Sequence, residues 1–230
     1  MLNTDAMSSF HRTVAGLCLI LAPLVLAIAQ PINPGDGDAG WVQTMSEVPG
    51  RIQAASLLVI LSSVLFVPAL IGLLHLMGHR GSVLGHIGVG LMLIGVIGHA
   101  VWAGFEIVLV WMATSEIDQT QLSAVVDDGA PSSIGFTVIL IMFLVGFFVG
   151  SFFLAAGLWR SGAVPRWATA CIVAGVLPDF LPIDNESVQE AVLMTGLALM
   201  VIGFGVIGVK LLKGPEVESR VTSFVTTTRS

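Results

Sequence analysis

Residues 83–113 of the chain read VLGHIGVGLMLIGVIGHAVWAGFEIVLVWMA, a continuous apolar run in which Glu106 is the sole Asp, Glu, Lys or Arg. About 20 helical residues cross the ~30 Å hydrocarbon layer of a bilayer, so the run is long enough to span it. Backbone polar groups must be paired in lipid, and the run lacks the alternation of a barrel strand. It therefore predicts a transmembrane helix, which tilts or extends past the bilayer because of its length.

The composition of the whole chain indicates a protein that has lipid as its solvent. Hydrophobic residues make up 55% of the 230 and charged residues 10%, whereas soluble domains carry about 25% charged residues. Lys and Arg total 9 and form no run, which argues against a nucleic-acid partner. The lipid bilayer is the expected partner, and the cell membrane is the expected location.

Six apolar runs are predicted to span the membrane, and together they predict an all-α fold, a polytopic transmembrane helix bundle. The fifth run is short and contains Pro178 and Pro182. Residues 1–213 are expected to form one transmembrane domain, and residues 214–230 a flexible cytoplasmic tail. The six runs lie at about 13–30, 52–77, 83–113, 134–159, 167–183 and 191–212.

The placement of basic residues predicts that both termini are cytoplasmic, because Lys and Arg are retained on that side of a membrane. Arg51 is the exception to this pattern, and ten of the fifteen acidic residues fall in the opposite, outer loops. The outer segment 31–50 is rich in turn residues and carries Trp41, an expected interfacial anchor. The eight basic residues on the cytoplasmic side are Arg12, Arg80, Arg160, Arg166, Lys210, Lys213, Arg220 and Arg229.

An alternative for the first run is a cleaved signal peptide. Residues 26–30 resemble a small-residue signal-peptidase site after an apolar stretch, and cleavage of residues 1–29 would leave five helices. The internal Pro23, the length of the stretch and a basic region holding Arg12 and His11 favour a retained helix instead.

Sequence motifs of soluble enzymes are missing. No CxxC, Walker, HExxH or GxSxG motif occurs, which excludes soluble-type nucleotide, zinc-protease and serine-hydrolase chemistry. Cys18 and Cys171 both lie inside predicted spans, so they are interpreted as small buried apolar residues without a disulfide.

Three histidines gather near the predicted cytoplasmic end, with His75 and His79 at i and i+4 and His86 after a glycine-rich turn. Such spacing can hold a metal or a haem. A pair of bis-histidine haems needs matched histidines on two helices, and the second run has none level with His99. We therefore predict neither metal nor cofactor, with a single metal or haem site as the alternative.

Glu106 is the residue that most suggests a function. An ionised side chain inside a span is costly, and it usually faces the bundle interior or a watery cavity. His99 and Trp102 lie seven and four residues before it, so one helix face carries an imidazole, an indole and a carboxylate. Glu106 either bonds a neighbouring helix and stabilises the bundle, or binds a ligand or handles protons.

A second intramembrane acid, Asp179, stands after Pro178 at the outer end of the fifth run. Proline-interrupted membrane helices expose carbonyl groups that must be covered or used at a cavity. Arg51 begins the second run at the same level, which suits a pairing with one of these acids. We predict an outward-opening polar pocket whose ligand-binding residues are Glu106, His99, Trp102, Asp179 and Arg51, with Gln30 and Asn33 nearby. For Asp179, a position in a flanking loop just outside the lipid is the alternative.

Three stretches carry a resemblance to a known group of proteins. They are RTVAGLCLILAPLVLAIAQPINPG at 12–35, VPGRIQAASLLVILSSVLFVPALIGLLHL at 48–76 and AAGLWRSGAVPRWA at 155–168. They resemble small six-helix bacterial integral membrane proteins grouped as a domain of unknown function. The resemblance implies a fold and a membrane location, and it transfers no catalytic residue.

The leading functional hypothesis is binding or transport of a small molecule or ion through the outer pocket. The ligand is expected to be a cation or an apolar compound with a polar head. The alternative is a membrane-embedded enzyme in which a protonated Glu106 donates a proton and Asp179 or His99 receives one. By analogy with small multispan terpene cyclases, aromatic rings would then shield a cationic intermediate, namely those of Trp102, Phe105 and Phe180.

A third hypothesis is an accessory subunit that binds another membrane protein or a second copy of itself. The chain has 26 glycines, and helices in lipid associate by close backbone approach at small residues. The simpler interpretation is packing within the bundle, for which Gly95, Gly98, Gly146 and Gly150 are suitably placed.

Overall fold

The computed structural model describes residues 9–35, 40–77, 82–129, 133–181 and 185–227, and the regular elements of these ranges are all helical. The predicted all-α polytopic bundle is thereby confirmed. Two π-helical stretches, Ala124–Gly129 and Val145–Val149, and two 3-10 turns, Gln30–Ile32 and Leu177–Phe180, adjoin the α-helices. The α-helices are α1 Ser9–Ala29, α2 Trp41–Glu47, α3 Pro49–Met77, α4 Ser82–Ala113, α5 Gln119–Ser123, α6 Ile134–Leu144, α7 Gly150–Ser161, α8 Arg166–Val176 and α9 Glu186–Thr227.

Within the described ranges, five helical segments are long and apolar enough to cross a bilayer, so the chain is a membrane protein. The sixth predicted span, 167–183, contains the shorter helix α8 and the turn Leu177–Phe180. Eleven helical residues rise about 17 Å, less than the hydrocarbon layer, so the sixfold crossing stays a prediction. The five long segments are Ser9–Ile32, Pro49–Met77, Val83–Ala113, Ile134–Ser161 and Ser187–Lys213.

The helices form a closed ring in which α1 packs on α3, α3 on α4, α4 on α7, α7 on α8, α8 on α9 and α9 on α1. A methyl group at Gly72, near the end of α3, would collide with Ala15 at the start of α1, and one at Gly16 would meet Gly208 and Leu212 of α9. The start of α1 therefore lies at the same end of the ring as the end of the α9 span. The cytoplasmic placement of both termini stays a prediction.

Glycines bring α4 and the α6–α7 segment into close contact. A Cβ at Gly88 would meet the backbone of Leu154, and one at Gly95 would meet the backbone of Gly146 and Phe147. Helices in lipid associate through such small residues, since no solvent-driven force brings them together. The seam includes the π-helical stretch Val145–Val149, a geometry that is frequent near functional sites.

The interior of the ring is filled by aromatic side chains over part of its length. Phe66 of α3 packs edge-to-face on Phe147, with ring centroids 6.1 Å apart, and on Phe204 of α9, at 5.9 Å. Phe66 and Phe204 are fully buried. Towards the end of the ring at which α1 ends, the interior opens into a cavity.

A small cap lies over that end of the ring. Helices α2 and α5 pack on α4 and on the start of α3, and they enclose an apolar cluster separate from the main core. Helix α4 has 32 residues and is therefore about 48 Å long, which leaves its last turns free to build the cap. The buried members of the cluster are Val42, Met45, Ile52, Leu109, Val110, Ala113, Leu122 and Val126.

The last helix, α9, continues to Thr227 and so covers most of the segment 214–230 that the sequence predicts to be a flexible tail. The flexibility of that segment and the single domain over residues 1–213 stay predictions.

Candidate ligand-binding site

A cavity of about 500 Å³ opens at the capped end of the ring, among α1, α4, α6, α8 and α9. Its lining is polar at the level of the helix ends and apolar further in. The polar or charged lining residues are Gln30, Asn33, Arg51, His99, Gln189 and Glu190. The apolar walls are formed by Leu26, Phe143, Phe147, Phe148, Leu193, Met194, Leu197 and Met200.

His99, at about the middle of α4, lines this cavity. Its imidazole stacks on Phe143, with centroids 4.5 Å apart and planes at 29°, and Phe147 meets it edge-on at 6.4 Å. Neither ring nitrogen hydrogen-bonds to another residue that the structure describes. An imidazole offers a donor and an acceptor when neutral. Aromatic contacts therefore orient the ring, and its nitrogens are left for a molecule in the cavity.

The surroundings of Glu106 differ from those of His99, because its carboxylate lies next to hydrogen-bond donors of the protein. It is 7% exposed. Ser56 Oγ of α3 donates to Glu106 Oε2 at 2.7 Å, and Trp102 Nε1 donates to Oε1 at 3.1 Å. The side chain of Asn33, in the segment that follows α1, lies near this carboxylate. Glu106 thus joins α3 to α4, and it is not among the residues that line the cavity.

The segment 30–35 forms part of the rim of the cavity, and the side chain of its Asn33 also lies near Glu106. Asn33 Oδ1 accepts the Gly35 N–H at 3.0 Å. From the other side, Arg51 Nε donates to the carbonyl of Ile32 at 3.2 Å and Arg51 Nη2 to that of Pro31 at 3.4 Å. The hydrogen bonds of Arg51 therefore go to backbone carbonyls of this segment and not to Glu106.

Trp102 belongs to a group of rings that covers Glu106 on the side of the cap. It lies 5.2 Å from Trp41 of α2, 5.2 Å from Phe136 of α6 and 6.3 Å from Phe105, measured between ring centroids. A small cavity of about 140 Å³ is lined by Trp102, Phe105, Ser133, Phe136 and Ile139. Trp102 thus lines a different space from His99, although the sequence places both on one helix face.

Asp179 falls in the 3-10 turn Leu177–Phe180 that follows α8. Its side chain lies outside the described part of the chain, so its place in the pocket stays a prediction. Gln189 and Glu190, in the first turns of α9, line the cavity although the sequence analysis does not select them. Their position in an outer loop next to the sixth run is the signal that indicates them.

His75 and the two cysteines are not among the residues that line the cavity. His75 Nδ1 is 2.9 Å from the carbonyl oxygen of Ile71, one turn back in its own helix. His79 lies outside the described residues, and within them no three His, Cys, Asp or Glu side chains come together as metal ligands. Cys18 and Cys171 are free thiols.

Comparison with known proteins gives no further guide, since no family model, no curated protein and no solved structure matches the chain. The resemblance to six-helix bacterial proteins of unknown function therefore stays a prediction.

Proposed function

We propose that this membrane protein binds a small amphiphile, with a polar head and an apolar body, in the cavity at the capped end of the ring, and carries or transports it. The observation that supports this proposal is the cavity itself, polar at its rim and apolar within, with His99 in its lining. A volume of about 500 Å³ lies in the range of about 300 to 1,000 Å³ that is usual for small-molecule sites.

The rim favours a head group that is neutral or carries both charges. Arg51 uses Nε and Nη2 for the segment 30–35, which leaves Nη1 for a ligand. Glu190 contributes the opposite charge to the same rim, and Gln30 and Gln189 contribute amides. A head group that both accepts and donates hydrogen bonds can use all four side chains.

The inner walls favour an apolar body over a bare ion. Phe143, Leu197 and Met200 offer no oxygen ligand, and an ion that enters among them would lose its hydration without replacement. Methionine side chains adapt to irregular apolar shapes, so Met194 and Met200 suit a ligand body of variable form.

The enzyme hypothesis has less support. Its acid, Glu106, accepts hydrogen bonds from Ser56 and Trp102 and lies outside the lining of the cavity. The aromatic rings expected to shield a cation, Trp102 and Phe105, line the space of about 140 Å³, which is small for a terpenoid substrate. No observation among the described residues favours the accessory-subunit hypothesis.

A cavity-filling variant tests the proposal. Leu197→Trp places an indole inside the cavity, whereas Ile202→Trp places one on the exposed outer face of the same helix and serves as the control. Small molecules that co-purify with each variant in mild detergent are extracted and quantified by mass spectrometry. We expect the bound compound to be retained by wild type and Ile202→Trp and lost by Leu197→Trp. Equal retention by both variants would overturn the proposal.

The outward direction of the cavity has its own test. In a background with Cys18 and Cys171 replaced by Ala, Glu190→Cys places a thiol at the rim and Lys213→Cys places one at the opposite end of the α9 span, Ser187–Lys213. An impermeant thiol reagent added to intact cells should label Glu190→Cys and spare Lys213→Cys. The reverse labelling would turn the cavity towards the cytoplasm.

A further inference from the structure

A second space lies between α7 and α8, and it shares no lining residue with the ligand cavity. It is a groove of about 380 Å³ with apolar walls, in which small side chains of both helices leave room. Ala156 and Ala170 are exposed on it, towards the surroundings of the bundle. The groove is lined by Phe152, Ala155, Ala156, Trp159, Thr169, Ala170, Val173, Ala174 and Leu177.

We propose that this groove holds an acyl chain of an anionic phospholipid, whose phosphate is bound at the start of α8 beside Arg166. The proposal is independent of the ligand cavity. It rests on the electrostatics of one helix end, on a cation beside the groove and on one buried hydroxyl group.

The start of α8 lacks any group that compensates its positive end. The helix begins at Arg166 after Pro165, no side chain caps it, and no acidic residue lies in its first turn. The first amide groups of a helix have no partner within the helix, and the positive end of its dipole makes a basic residue there unfavourable. A phosphate would accept hydrogen bonds from the free N–H groups and would also neutralise the positive charge at this helix end, as anions bound at helix starts do.

Arg166 connects this helix end to the groove. Its guanidinium carbon lies 5.5 Å from the ring centroid of Trp159, and Trp159 lines the groove. Arginine binds phosphate through paired donors. Trp159 and Trp167 are 46% and 54% exposed, as expected for indoles at the level of lipid head groups. A lipid with its phosphate at Arg166 can therefore place a chain in the groove.

The buried hydroxyl group that supports the proposal belongs to Thr169. It is 1% exposed, it lines the groove, and its hydroxyl has no hydrogen-bond partner within the described structure. A buried hydroxyl without a partner is costly. Thr169 lies one turn further into α8 than Arg166, about 5 Å deeper. The hydroxyl oxygen itself has almost no accessible surface, so a lipid reaches it after a rotation of the Thr169 side chain towards the groove. The ester oxygens of a phospholipid lie at this depth, next to its phosphate on the apolar side, and they are acceptors for that hydroxyl.

The charges favour a lipid over a second copy of the chain. Arg160 and Arg166 stand on either side of the turn between α7 and α8, and both are exposed. Two copies that faced each other across this groove would bring these cations together, whereas an anionic lipid complements them. Both arginines also lie on the side predicted to be cytoplasmic, where anionic lipids attract basic residues.

Lipid retention by defined variants tests this proposal. The full chain is incubated with phosphatidylglycerol and phosphatidylcholine in equal amounts, and the bound lipids are counted by native mass spectrometry. Arg166→Gln removes the cation, and Ala170→Leu fills the groove at an exposed position. The matched controls are Lys213→Gln, an exposed cation at the same end of the ring, and Ala198→Leu, an exposed alanine of α9. Size-exclusion profiles verify that each variant is folded and report any dimer.

We expect wild type and both controls to retain more phosphatidylglycerol than phosphatidylcholine. Arg166→Gln should reduce that preference about fivefold, the factor for losing one basic residue at an anionic surface, and Ala170→Leu should reduce retention of both lipids. Equal retention of the two lipids by wild type would overturn the proposal. So would unchanged retention in Arg166→Gln, or a dimer in wild type that Ala170→Leu abolishes while lipid binding stays the same.

Discussion

Glu106 and His99 lie seven residues apart on one face of α4, but the structure surrounds them differently. Glu106 accepts hydrogen bonds from Ser56 and Trp102. His99 is held by the rings of Phe143 and Phe147, and its nitrogens have no partner in the described structure. A polar group that has its hydrogen-bond partners within the protein stabilises the fold. A polar group that lines a cavity and has no such partner is available to a ligand.

Glu106 and His99 therefore have different roles, although the cost of burying a titratable group in a membrane span marks both of them as unusual. The same rule, that a titratable group inside a span needs a partner, applies to both. The partners of Glu106 are protein groups, so its removal should affect stability first. Those of His99 are to be supplied by the ligand, so its removal should affect binding first. Substitutions at Glu106, Arg51 and His99 separate these roles, and the expected change in unfolding free energy decreases in that order.

Glu106→Ala should cost about 2 to 3 kcal/mol of unfolding free energy, because it leaves the donors of Ser56 and Trp102 buried without an acceptor. Reversible unfolding in mixed detergent micelles measures this. Glu116→Ala, which removes an exposed loop acid, is the control and should change stability by less than about 0.5 kcal/mol. Equal effects of the two variants would show that Glu106 does not join the helices.

Glu106→Gln should cost about 1 kcal/mol, because an amide keeps one acceptor but turns a donor towards groups that are themselves donors. A double-mutant cycle of Glu106→Ala with Ser56→Ala, in which each substitution removes the contact, should give a coupling of about 0.5 to 1.5 kcal/mol, the range for hydrogen bonds between membrane helices. Ser56 is fully buried, so its hydroxyl has no water to replace the carboxylate. Additive effects of the two substitutions would contradict the contact.

Arg51→Met should loosen the segment 30–35, because it removes two hydrogen bonds to that segment. The loss of global unfolding free energy should stay below about 1 kcal/mol, because the arginine is exposed. The Asn33 N–H, which donates to the carbonyl oxygens of Ala29 and Gln30, should exchange with deuterium faster in this variant. Arg160→Met, an exposed arginine at the other end of the ring, should leave that exchange unchanged. Protection of Asn33 equal to wild type would mean that the guanidinium does not hold the segment.

His99→Phe should change stability by less than about 0.5 kcal/mol, since a phenyl ring keeps the stacking on Phe143 and no protein hydrogen bond is lost. Retention of the co-purified ligand should nevertheless fall, as measured by extraction and mass spectrometry. His75→Phe, at the opposite end of the ring, is the control for both measurements. A large loss of stability with full ligand retention would reverse the roles of His99 and Glu106.

The sequence by itself determined the class of fold, because that information is local. Continuous apolar runs need lipid, and lipid requires that each run pair its own backbone groups, so helices follow from composition and length. The limits of this reasoning appear at the ends of the runs. Helix α2, Trp41–Glu47, lies in a segment predicted to be an outer loop, since its apolar face has a partner only when α4 and α5 pack on it.

The tertiary structure alone decided which polar residues share a site. Helical spacing relates residues within one helix. It correctly places His99 and Trp102 on the same face as Glu106, but it does not show which of the three lines a cavity. The donor of Glu106 on α3, Ser56, lies 50 residues away, and the cavity of His99 is completed by Glu190 of α9. Such contacts depend on how the ring closes, which glycines and aromatic rings determine by close packing, and no local pattern encodes that arrangement.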